Sequence, residues 1–521
     1  MHIILAFFIA LYPHLKIEAY TDSTGPYFVV HAPHISTDFT LYVTDLSYSK
    51  DSVLNVSYPD FDLWDRKKTE DSVFVFRPTK RRTFKKNTLY AIRPSAFDLK
   101  DKNTLLGTYY FFRLNKKGKI GIAPYIFPVM QLLSKDTLGI FFEGNKESYA
   151  SITLFYKKES PKTITHNKKC RRHEFKIPYQ KDLLYYRFSL YTKYDTFTSH
   201  LVPIKYRGKI ETFAIFGDTR ANWAMPSERG RTDGVNEEVI NNILRAIYKD
   251  EPDFVEINGD LISGYTNSKE DALMQYYAFL KSLYPYASSI PFLFTPGNHD
   301  MTAPMDGDRR SHKDPTPPQS AEDLWKNLFM QPENGPIEQK GMPPYKENVY
   351  FLDAGNWGIF FLNSDYNYAK ENRKRISGNI TSEEMTWFLQ KSRYFKHSIV
   401  IFHEPLYSNT PIKGHALDYD IVKRDSLLNA FLRSGASLIL TSHEHLYARR
   451  KIADGKAHKW IYQVTLGTGG APIYNVPKEK RTGIDAFSKE TTYGLIHLKK
   501  NKVIGLVKNI NGFVVDSFKI N

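Results

Sequence analysis

The sequence has almost no cysteine: Cys170 is the only one in 521 residues. A single thiol excludes an intramolecular disulfide and a metal cluster held by several thiolates. Lysines and arginines flank this thiol in "KKCRR" (168–172) and are expected to lower its pKa. We interpret Cys170 as an incidental surface thiol, so any metal centre is expected to use oxygen and nitrogen ligands.

Long apolar runs are missing as well. The run from Ile3 to Tyr12 has about ten residues, which is too short to span a bilayer but has the length of a signal-peptide core. "IEA" at 17–19 offers a small residue at a cleavage point. We therefore expect residues 1–19 to be a signal peptide and the protein to be exported, periplasmic or secreted, without a transmembrane anchor. A buried first strand is the alternative.

Acidic residues are too few to balance the basic ones. The chain has 72 Lys and Arg against 56 Asp and Glu, a net charge of +16, which favours anionic partners such as phosphate esters. The basic clusters are scattered and no nucleic-acid motif with interleaved aromatics accompanies them. We expect a phosphorylated small molecule or macromolecule as substrate and keep nucleic acid as a weaker alternative. No feature of the sequence bears on oligomeric state.

The first two fifths of the chain consist of short aromatic and β-branched runs separated by turn residues. Over 22–120 this pattern predicts an N-terminal β-rich domain. Over 121–208 a spacing of about ten residues predicts a small fibronectin- or Ig-like β-sandwich. Neither segment carries a dense set of acidic or histidine residues, so we expect the chemistry elsewhere.

From about residue 209 to the end, apolar strands alternate with helical patterns. The strands include "TFAIFGD", "DFVEINGD", "IPFLFTPGNHD", "HSIVIFHEP" and "SLILTSHEH". Helical spacing covers 236–249 and about 269–283, and a third helix is expected in "SEEMTWFLQKS" with Ser382 as its N-cap. This alternation predicts an α/β (α+β) domain over 209–521.

Each of these strands ends at residues that can bind a metal, and ligands gather at the carboxyl ends of strands in such folds. Taken singly, a Gly-Asp pair is interpreted as an ordinary turn and each histidine as a surface or core residue. The occurrence of all of them at successive strand ends favours a metal centre instead. Mixed oxygen and nitrogen donors suit Zn, Mn or Fe, and their number suits two ions that share a carboxylate. The candidates are Asp218, Asp260, Asn298, His299, His403, His443 and His445.

The motif order GD, GD, GNHD, H and HxH resembles the calcineurin-like metallophosphoesterase superfamily, and most of all its purple-acid-phosphatase-like branch. The resemblance covers about 210 to 500. It implies a four-layer-type β-sandwich flanked by helices in the catalytic domain, preceded by two small all-β sandwich-like domains.

The resemblance also implies roles for single residues. Two divalent or trivalent ions (Fe, Mn or Zn) would be held, with Asp260 bridging them. His299 would act as an imidazolium that protonates the leaving group, and Asp300 would orient it. The first metal would take Asp218, Asp260 and His445, and the second Asp260, Asn298, His403 and His443.

The activity implied is hydrolysis of phosphate monoesters by attack of a metal-bridging hydroxide at this dinuclear site. A phosphodiesterase with the same site is one alternative. A surface binding protein with a vestigial metal domain is the other.

Three positions depart from the family pattern. Arg220 stands where many relatives have the histidine of Asp-x-His, which predicts weaker binding of the first metal. A guanidinium suits bidentate phosphate binding, so we expect Arg220 to contact the substrate phosphate; a structural salt bridge is the alternative. Ser263 replaces the ligating tyrosine of purple acid phosphatases, which predicts a colourless protein. Ser442 replaces a glycine, which matters only where φ is positive.

Two loops follow the ligand motifs in the sequence. Residues 301–325 and 408–420 are expected to overhang the site and to help select the substrate.

Overall fold

The computed structural model describes residues 16–31, 37–45, 64–70, 73–80, 83–98, 103–221, 234–264, 269–302, 320–366, 378–411, 416–453 and 459–521. Residues 1–15 of the expected signal peptide lie outside these ranges, so export stays a prediction. The next residues, from Lys16, already belong to a strand. Of the helices in these ranges, none combines the length and the apolar character that crossing a membrane requires.

The N-terminal region contains two four-stranded sheets. One has the order β1-β2-β5-β4; in the other β3, β6 and β7 are neighbours and β8 pairs with β6. A shared core of aromatic rings, including Phe28, Phe76 and Phe112, lies between their strands. The strands are β1 (Lys16–Asp22), β2 (Gly25–His31), β3 (Thr37–Asp45), β4 (Trp64–Glu70), β5 (Val73–Pro78), β6 (Leu89–Asp98), β7 (Asn103–Leu106) and β8 (Tyr110–Arg113).

The next region is one antiparallel sheet built around a 20-residue strand, β10. β11 pairs along nearly all of it, whereas β9 pairs with its first half and β12 with its second half. The strands are β9 (Pro124–Ser134), β10 (Thr137–Tyr156), β11 (Lys162–Pro178), β12 (Leu183–Tyr191), β13 (Thr196–Thr198) and β14 (Val202–Pro203). The domain boundaries at 120 and 208 stay predictions.

Buried polar contacts join this sheet to the region that follows it. The hydroxyl of Tyr186 donates to the Ser288 carbonyl at 2.9 Å, and the Ser288 hydroxyl donates to the Pro128 carbonyl at 2.7 Å. The side-chain oxygen of Gln131 accepts from the backbone N–H of Met330 at 2.6 Å. Since all of these groups are buried, the sheet is packed against its neighbour.

The C-terminal region has two central sheets. The first has the order β17-β16-β15-β25-β26-β27 and the second β18-β19-β20-β21-β23-β22-β24. β15 to β17 are parallel, as are β19, β20, β21 and β23. The strands are β15 (Thr212–Phe216), β16 (Phe254–Asn258), β17 (Phe292–Thr295), β18 (Tyr350–Ala354), β19 (Trp357–Phe361), β20 (His397–Ile401), β21 (Ala436–Thr441), β22 (Tyr447–Ala453), β23 (Trp460–Leu466), β24 (Ala486–Ser488), β25 (Thr492–Lys499), β26 (Lys502–Asn509) and β27 (Val514–Ile520).

Helices cover the outer faces of both sheets. Ile215 of the first sheet and Leu440 of the second share the core between the sheets. On the outer faces, Phe216 packs with residues of the first three helices, and Val400 with residues of the last two. The helices are α1 (Glu237–Asp250), α2 (Lys269–Ser282), α3 (Ala321–Leu328), α4 (Ser382–Ser392) and α5 (Ile421–Arg433). The predicted four-layer α/β sandwich is thus confirmed.

The sequence misplaces one helix start by a single residue. The N-cap of α4 is Thr381 rather than the predicted Ser382, because Thr381 and Glu384 form a reciprocal capping box. The Thr381 hydroxyl also lies 3.1 Å from the hydroxyl of Tyr345. The Ser382 hydroxyl, by contrast, makes a single exposed hydrogen bond, to the neighbouring Glu383, within the described ranges.

We expect Thr381→Ala to lower the free energy of unfolding by about 1–2 kcal/mol, since it removes a cap and a buried partner. Ser382→Ala is the matched control and should change it by less than about 0.5 kcal/mol. Urea unfolding followed by tryptophan fluorescence measures both, and equal effects of the two variants would contradict the assignment.

Candidate metal centre

The predicted site residues lie together at one edge of the four-layer domain. β15 and β16 each run into a Gly-Asp pair, and β20 and β21 end two residues before a histidine. Because parallel strands share the direction of their carboxyl ends, these ends meet at one edge. All the candidates are less than a tenth exposed: Asp218, Arg220, Asp260, Asn298, His299, Asp300, His403, His443 and His445.

Three of the candidate ligands have a left-handed backbone. φ is 61° at Asp218, 52° at Asp260 and 66° at His443. Residues other than glycine rarely adopt this conformation, and such strain persists where contacts hold it in place. One such contact runs from the backbone N–H of His443 to Oδ2 of Asp218 at 2.8 Å. A glycine at position 442 would matter only if φ were positive there, and the positive φ lies at His443 instead.

The glycines before the two aspartates are needed for close packing. A Cβ atom at Gly259, where φ is +75°, would collide with Nδ1 of His403. A Cβ atom at Gly217 would collide with the hydroxyl of Ser442 and with the carbonyl of Asn258. The two Gly-Asp pairs are therefore buried junctions between strands, not surface turns.

The first group of donors is Asp218, Asp260 and His445. One ligand atom from each lies within 4.8 Å of the other two. Nε2 of His445 is 3.5 Å from Oδ1 of Asp218. Nδ1 of His445 donates to the Pro472 carbonyl at 2.8 Å, which fixes the tautomer and leaves Nε2 facing the carboxylates.

The second group is Asp260, Asn298, His403 and His443. Nε2 of His403 is 3.2 Å from Oδ1 of Asp260, and its Nδ1 donates to the Asn258 carbonyl at 3.0 Å. Nδ1 of His443 and Oδ1 of Asn298 are 2.9 Å apart. The resemblance assigns these four residues to one metal, and in the structure they form two contacting pairs whose histidine rings are 5.2 Å apart.

The donors fit a hard or borderline metal ion such as Zn, Mn or Fe. All are carboxylate, amide or imidazole groups. Oδ1 of Asp218 is fully buried and accepts no hydrogen bond within the part of the chain that the structure describes. A buried oxygen without a partner is costly, and a cation would satisfy it.

Charge is unevenly distributed among these groups. Burial raises the pKa of Asp218 well above its usual range. Burial also raises the pKa of Asp260, yet the imidazoles of His299 and His403 hold it well below its usual range. Burial lowers the pKa of His403, but the carboxylates of Asp260 and Asp218 outweigh this and hold it well above its usual range. His403 and Asp260 therefore form a buried ion pair.

Arg220 lies against the first group of donors. Its Nε donates to Oδ2 of Asp260 at 3.3 Å, and its Nη2 is 3.2 Å from Nε2 of His445. Nε2 of His445 is the nitrogen through which this residue would bind a metal. The predicted contact with substrate phosphate stays a prediction, whereas the salt bridge considered beside it is present.

The expected partnership between His299 and Asp300 is wrong in its geometry. Nδ1 of His299 donates to the Ser263 carbonyl at 2.6 Å, so that carbonyl orients the ring. The Asp300 carboxylate accepts from the backbone N–H groups of Gly297 and Leu261 at 2.9 and 3.2 Å and holds the loop instead. Burial, followed by the charge of Arg220, lowers the pKa of His299 to about 3, so the ring is neutral when no substrate is bound; its expected role as an imidazolium stays a prediction.

Sequence reasoning missed Glu444, which lies between the two histidines of "HEH". Its buried carboxylate accepts from the hydroxyl of Ser408 at 2.7 Å and from the backbone N–H groups of Asn409 and Thr410 at 2.8 and 3.0 Å. It thereby ties the 408–410 segment to the histidine pair. Alternation in an extended segment was the available signal, since it points Glu444 away from the two histidines.

The two loops expected to overhang the site are only partly described. Residues 303–319 and 412–415 lie outside the described ranges. Their role in selecting the substrate stays a prediction.

Comparison with known proteins agrees with this geometry. Residues 211–447 match the family model of the calcineurin-like phosphoesterases. No curated protein matches the sequence.

Two solved structures share the fold. A purple acid phosphatase from yellow lupin (Lupinus luteus) seeds aligns with a TM-score of 0.57 and 13% identity, covering 98% of this chain and 93% of the lupin chain. The structure of PhoD aligns with a TM-score of 0.51 and 10% identity, covering 77% of this chain and 93% of that chain. Through residues 211–447, a little under half of its length, the chain is therefore similar to the calcineurin-like phosphoesterases.

Proposed function

We propose that the protein is a metal-dependent phosphoesterase that hydrolyses phosphate monoesters at a dinuclear centre. The observation that carries this proposal is the buried set of oxygen and nitrogen donors from five strand ends, inside a segment similar to the calcineurin-like phosphoesterases. Asp218, Asp260 and His445 would hold one ion, and Asp260, Asn298, His403 and His443 the other. When bound, the two ions supply Lewis-acid polarisation of the phosphate and a nucleophilic water at neutral pH.

Asp260 is suited to bridge the two ions because its oxygens face different groups. Oδ1 lies 3.2 Å from His403, in the second group, and Oδ2 lies 3.3 Å from Nε of Arg220, beside the first. The carboxylate is also held in place by the His299 loop, since Oδ1 accepts from the backbone N–H of His299 at 2.9 Å. The carboxylate thus links both groups and the loop that carries His299.

Two side chains of the chain itself would act on the substrate. Nε2 of His299 lies 3.7 Å from Oδ2 of Asp260, at the edge of the donor cluster. A bound phosphate would favour protonation of this ring, which then donates to the departing oxygen. The guanidinium of Arg220 adds a fixed positive charge on the same side.

Charge is the argument for monoesters over diesters. A monoester carries up to two negative charges on its phosphate and a diester only one. The fixed charge of Arg220 beside Asp260 and His445 therefore favours the monoester. Phosphodiester hydrolysis at the same donors is the alternative.

The proposal is tested with p-nitrophenyl phosphate and bis-p-nitrophenyl phosphate on metal-loaded protein. We expect cleavage of both or of the monoester alone, with the higher kcat/KM for the monoester. A higher kcat/KM for the diester would favour the phosphodiesterase. Stoichiometric metal with neither ester cleaved would favour the binding protein with a vestigial metal domain and would reject the proposal.

Removal of the bridging charge should abolish the activity. For Asp260→Asn we expect loss of bound metal and at least about a 100-fold lower kcat/KM, since metal ions contribute several kcal/mol to such reactions. The control is Asp353→Asn on β18, a half-exposed carboxylate in an ion pair with Lys135. Chelation of the wild-type protein should give the same loss, reversed by added metal. Unchanged hydrolysis in metal-free protein would contradict the mechanism.

The positive charge of Arg220 should weaken binding of the ion at Asp218, Asp260 and His445. Two unit charges about 4 Å apart repel by about 4 kcal/mol at an effective dielectric constant of about 20. We therefore expect Arg220→His to bind that ion at least about tenfold more tightly and to hold more metal per chain. Arg220→Lys keeps the charge and serves as the control.

Metal titration with elemental analysis measures this effect. Equal affinity in the wild type and both variants would show that Arg220 does not compete with the metal.

A further inference from the structure

A second cluster of metal-binding side chains lies on β11, far along the chain from the phosphoesterase donors. Ligand atoms of His166, Cys170 and His173 all lie within 4.8 Å of one another. The two Nδ1 atoms are 2.8 Å apart, and Sγ of Cys170 is 4.0 Å from Nδ1 of His166 and 3.7 Å from Nδ1 of His173. Three chemically suitable donors thus face one point.

These distances are close to those around a single tetrahedral ion. Zinc lies about 2.0–2.1 Å from nitrogen and about 2.3 Å from sulfur, which places two nitrogens about 3.3 Å apart and a nitrogen and a sulfur about 3.6 Å apart. The three observed distances differ from these values by about 0.5 Å or less. Small side-chain rotations would therefore complete the geometry.

An irregularity of the hairpin brings the three residues together. In a regular strand His166 and Cys170 share one face and His173 lies on the other. The register shifts between the pairs Glu143–Arg172 and Ser148–Cys170, and again before Ala150–His166. The buried face accordingly changes from even-numbered residues to odd-numbered ones, beginning at His173. Bulges of this kind re-aim side chains and are common next to functional sites.

One of the histidines is already oriented for a metal. Nε2 of His173 lies 3.2 Å from the hydroxyl of the buried Ser148. When Nε2–H donates to that oxygen, Nδ1 keeps its lone pair and accepts from Nδ1–H of His166 at 2.8 Å; metal binding would shift that proton to Nε2 of His166. Metal-binding histidines in general use their second nitrogen in this way.

The His173 ring is in its metal-binding form near neutral pH, whereas the Cys170 thiol has to lose its proton first. Burial, followed by the neighbouring His166, lowers the pKa of His173 to about 4, so the ring is neutral. The expected lowering of the Cys170 pKa is wrong: burial raises it. The thiol donates to the Arg172 carbonyl at 2.9 Å. Binding of a metal would replace that contact and release the thiol proton to solvent.

We propose that His166, Cys170 and His173 bind one Zn²⁺ ion, with water in the fourth position. Because all three ligands lie on β11, the ion would hold the irregular part of that strand in its bulged conformation. Two imidazoles and one thiolate are a donor set that Zn²⁺ accepts readily. Cys170 is therefore a ligand and not the incidental surface thiol that its sequence neighbours indicate.

Cobalt titration of the metal-free full-length protein tests the site, because the one cysteine of the sequence lies in it. We expect a thiolate-to-cobalt charge-transfer band whose final intensity corresponds to one thiolate-bound Co²⁺ per chain, in addition to any cobalt at the phosphoesterase donors. The band should be absent in Cys170→Ser and should persist in Asp260→Asn, which alters only the phosphoesterase centre. Ser148→Ala should weaken cobalt binding by about 10–100-fold.

His166→Ala tests the site with little risk of unfolding the protein. His166 is half-buried, whereas His173 is fully buried, so a substitution of His173 would disturb the core. The His166→Ala variant should lose the band while it keeps its circular dichroism spectrum and its hydrolysis of p-nitrophenyl phosphate. Absence of a band in wild-type protein whose phosphoesterase centre is loaded would overturn the proposal. A band of equal strength in His166→Ala would also overturn it.

Discussion

The burial of two carboxylates, Asp218 and Asp260, is the constraint on which this edge of the domain depends. They are 0% and 1% exposed, and Oδ1 of Asp218 has no hydrogen-bond donor in the described part of the chain. Buried negative charge is tolerated only where positive charge or hydrogen bonds compensate for it. Here His403 and Arg220 supply that charge from opposite sides. The left-handed backbone of both aspartates and the glycines before them follow from the need to hold these oxygens in place.

The positive charges that balance the buried carboxylates differ between the two groups of donors. On the side of His403, the positive charge belongs to a titratable imidazole, which becomes a neutral ligand when it loses its proton. On the side of His445, it belongs to a guanidinium, which keeps its charge at any physiological pH. A metal ion near His403 would take the place of a proton. A metal ion near His445 would instead lie beside the permanent positive charge of Arg220. At the proposed dinuclear centre, an arginine in place of the histidine of the first motif would thus change the electrostatics of one ion more than that of the other.

The candidate ligands lie together as the sequence predicts, because strand ends are local features. The apolar runs before Asp218, Asp260, His403 and His443 mark both the strands and the points where they stop, and parallel strands must bring those points together. Contacts between segments that are distant in the sequence are harder to predict. The Ser263 carbonyl takes the place expected for Asp300 at His299, and no spacing rule reveals which of two nearby acceptors an imidazole reaches.

The cluster on β11 was missed for a related reason. Alternation places His173 on the face opposite to His166 and Cys170, and only the register shift against β10 reverses this. Irregularities of this kind depend on the partner strand, so periodicity within β11 does not predict them. The basic neighbours of Cys170 suggested a lowered pKa, yet its partial burial has the larger effect and raises it.

The irregular hairpin and the phosphoesterase centre contact the same helix. Arg172, between two residues of the cluster, lies 3.8 Å from the buried carboxylate of Glu143, which accepts from the Tyr277 hydroxyl on α2 at 3.4 Å. The preceding residue, Tyr276, donates to Asp300 at 3.4 Å, and Asp300 holds the loop of His299. A chain of contacts does not by itself establish coupling between two sites. These contacts do fix the position of α2 from both sides, so the β-rich region is part of the scaffold that holds the His299 loop.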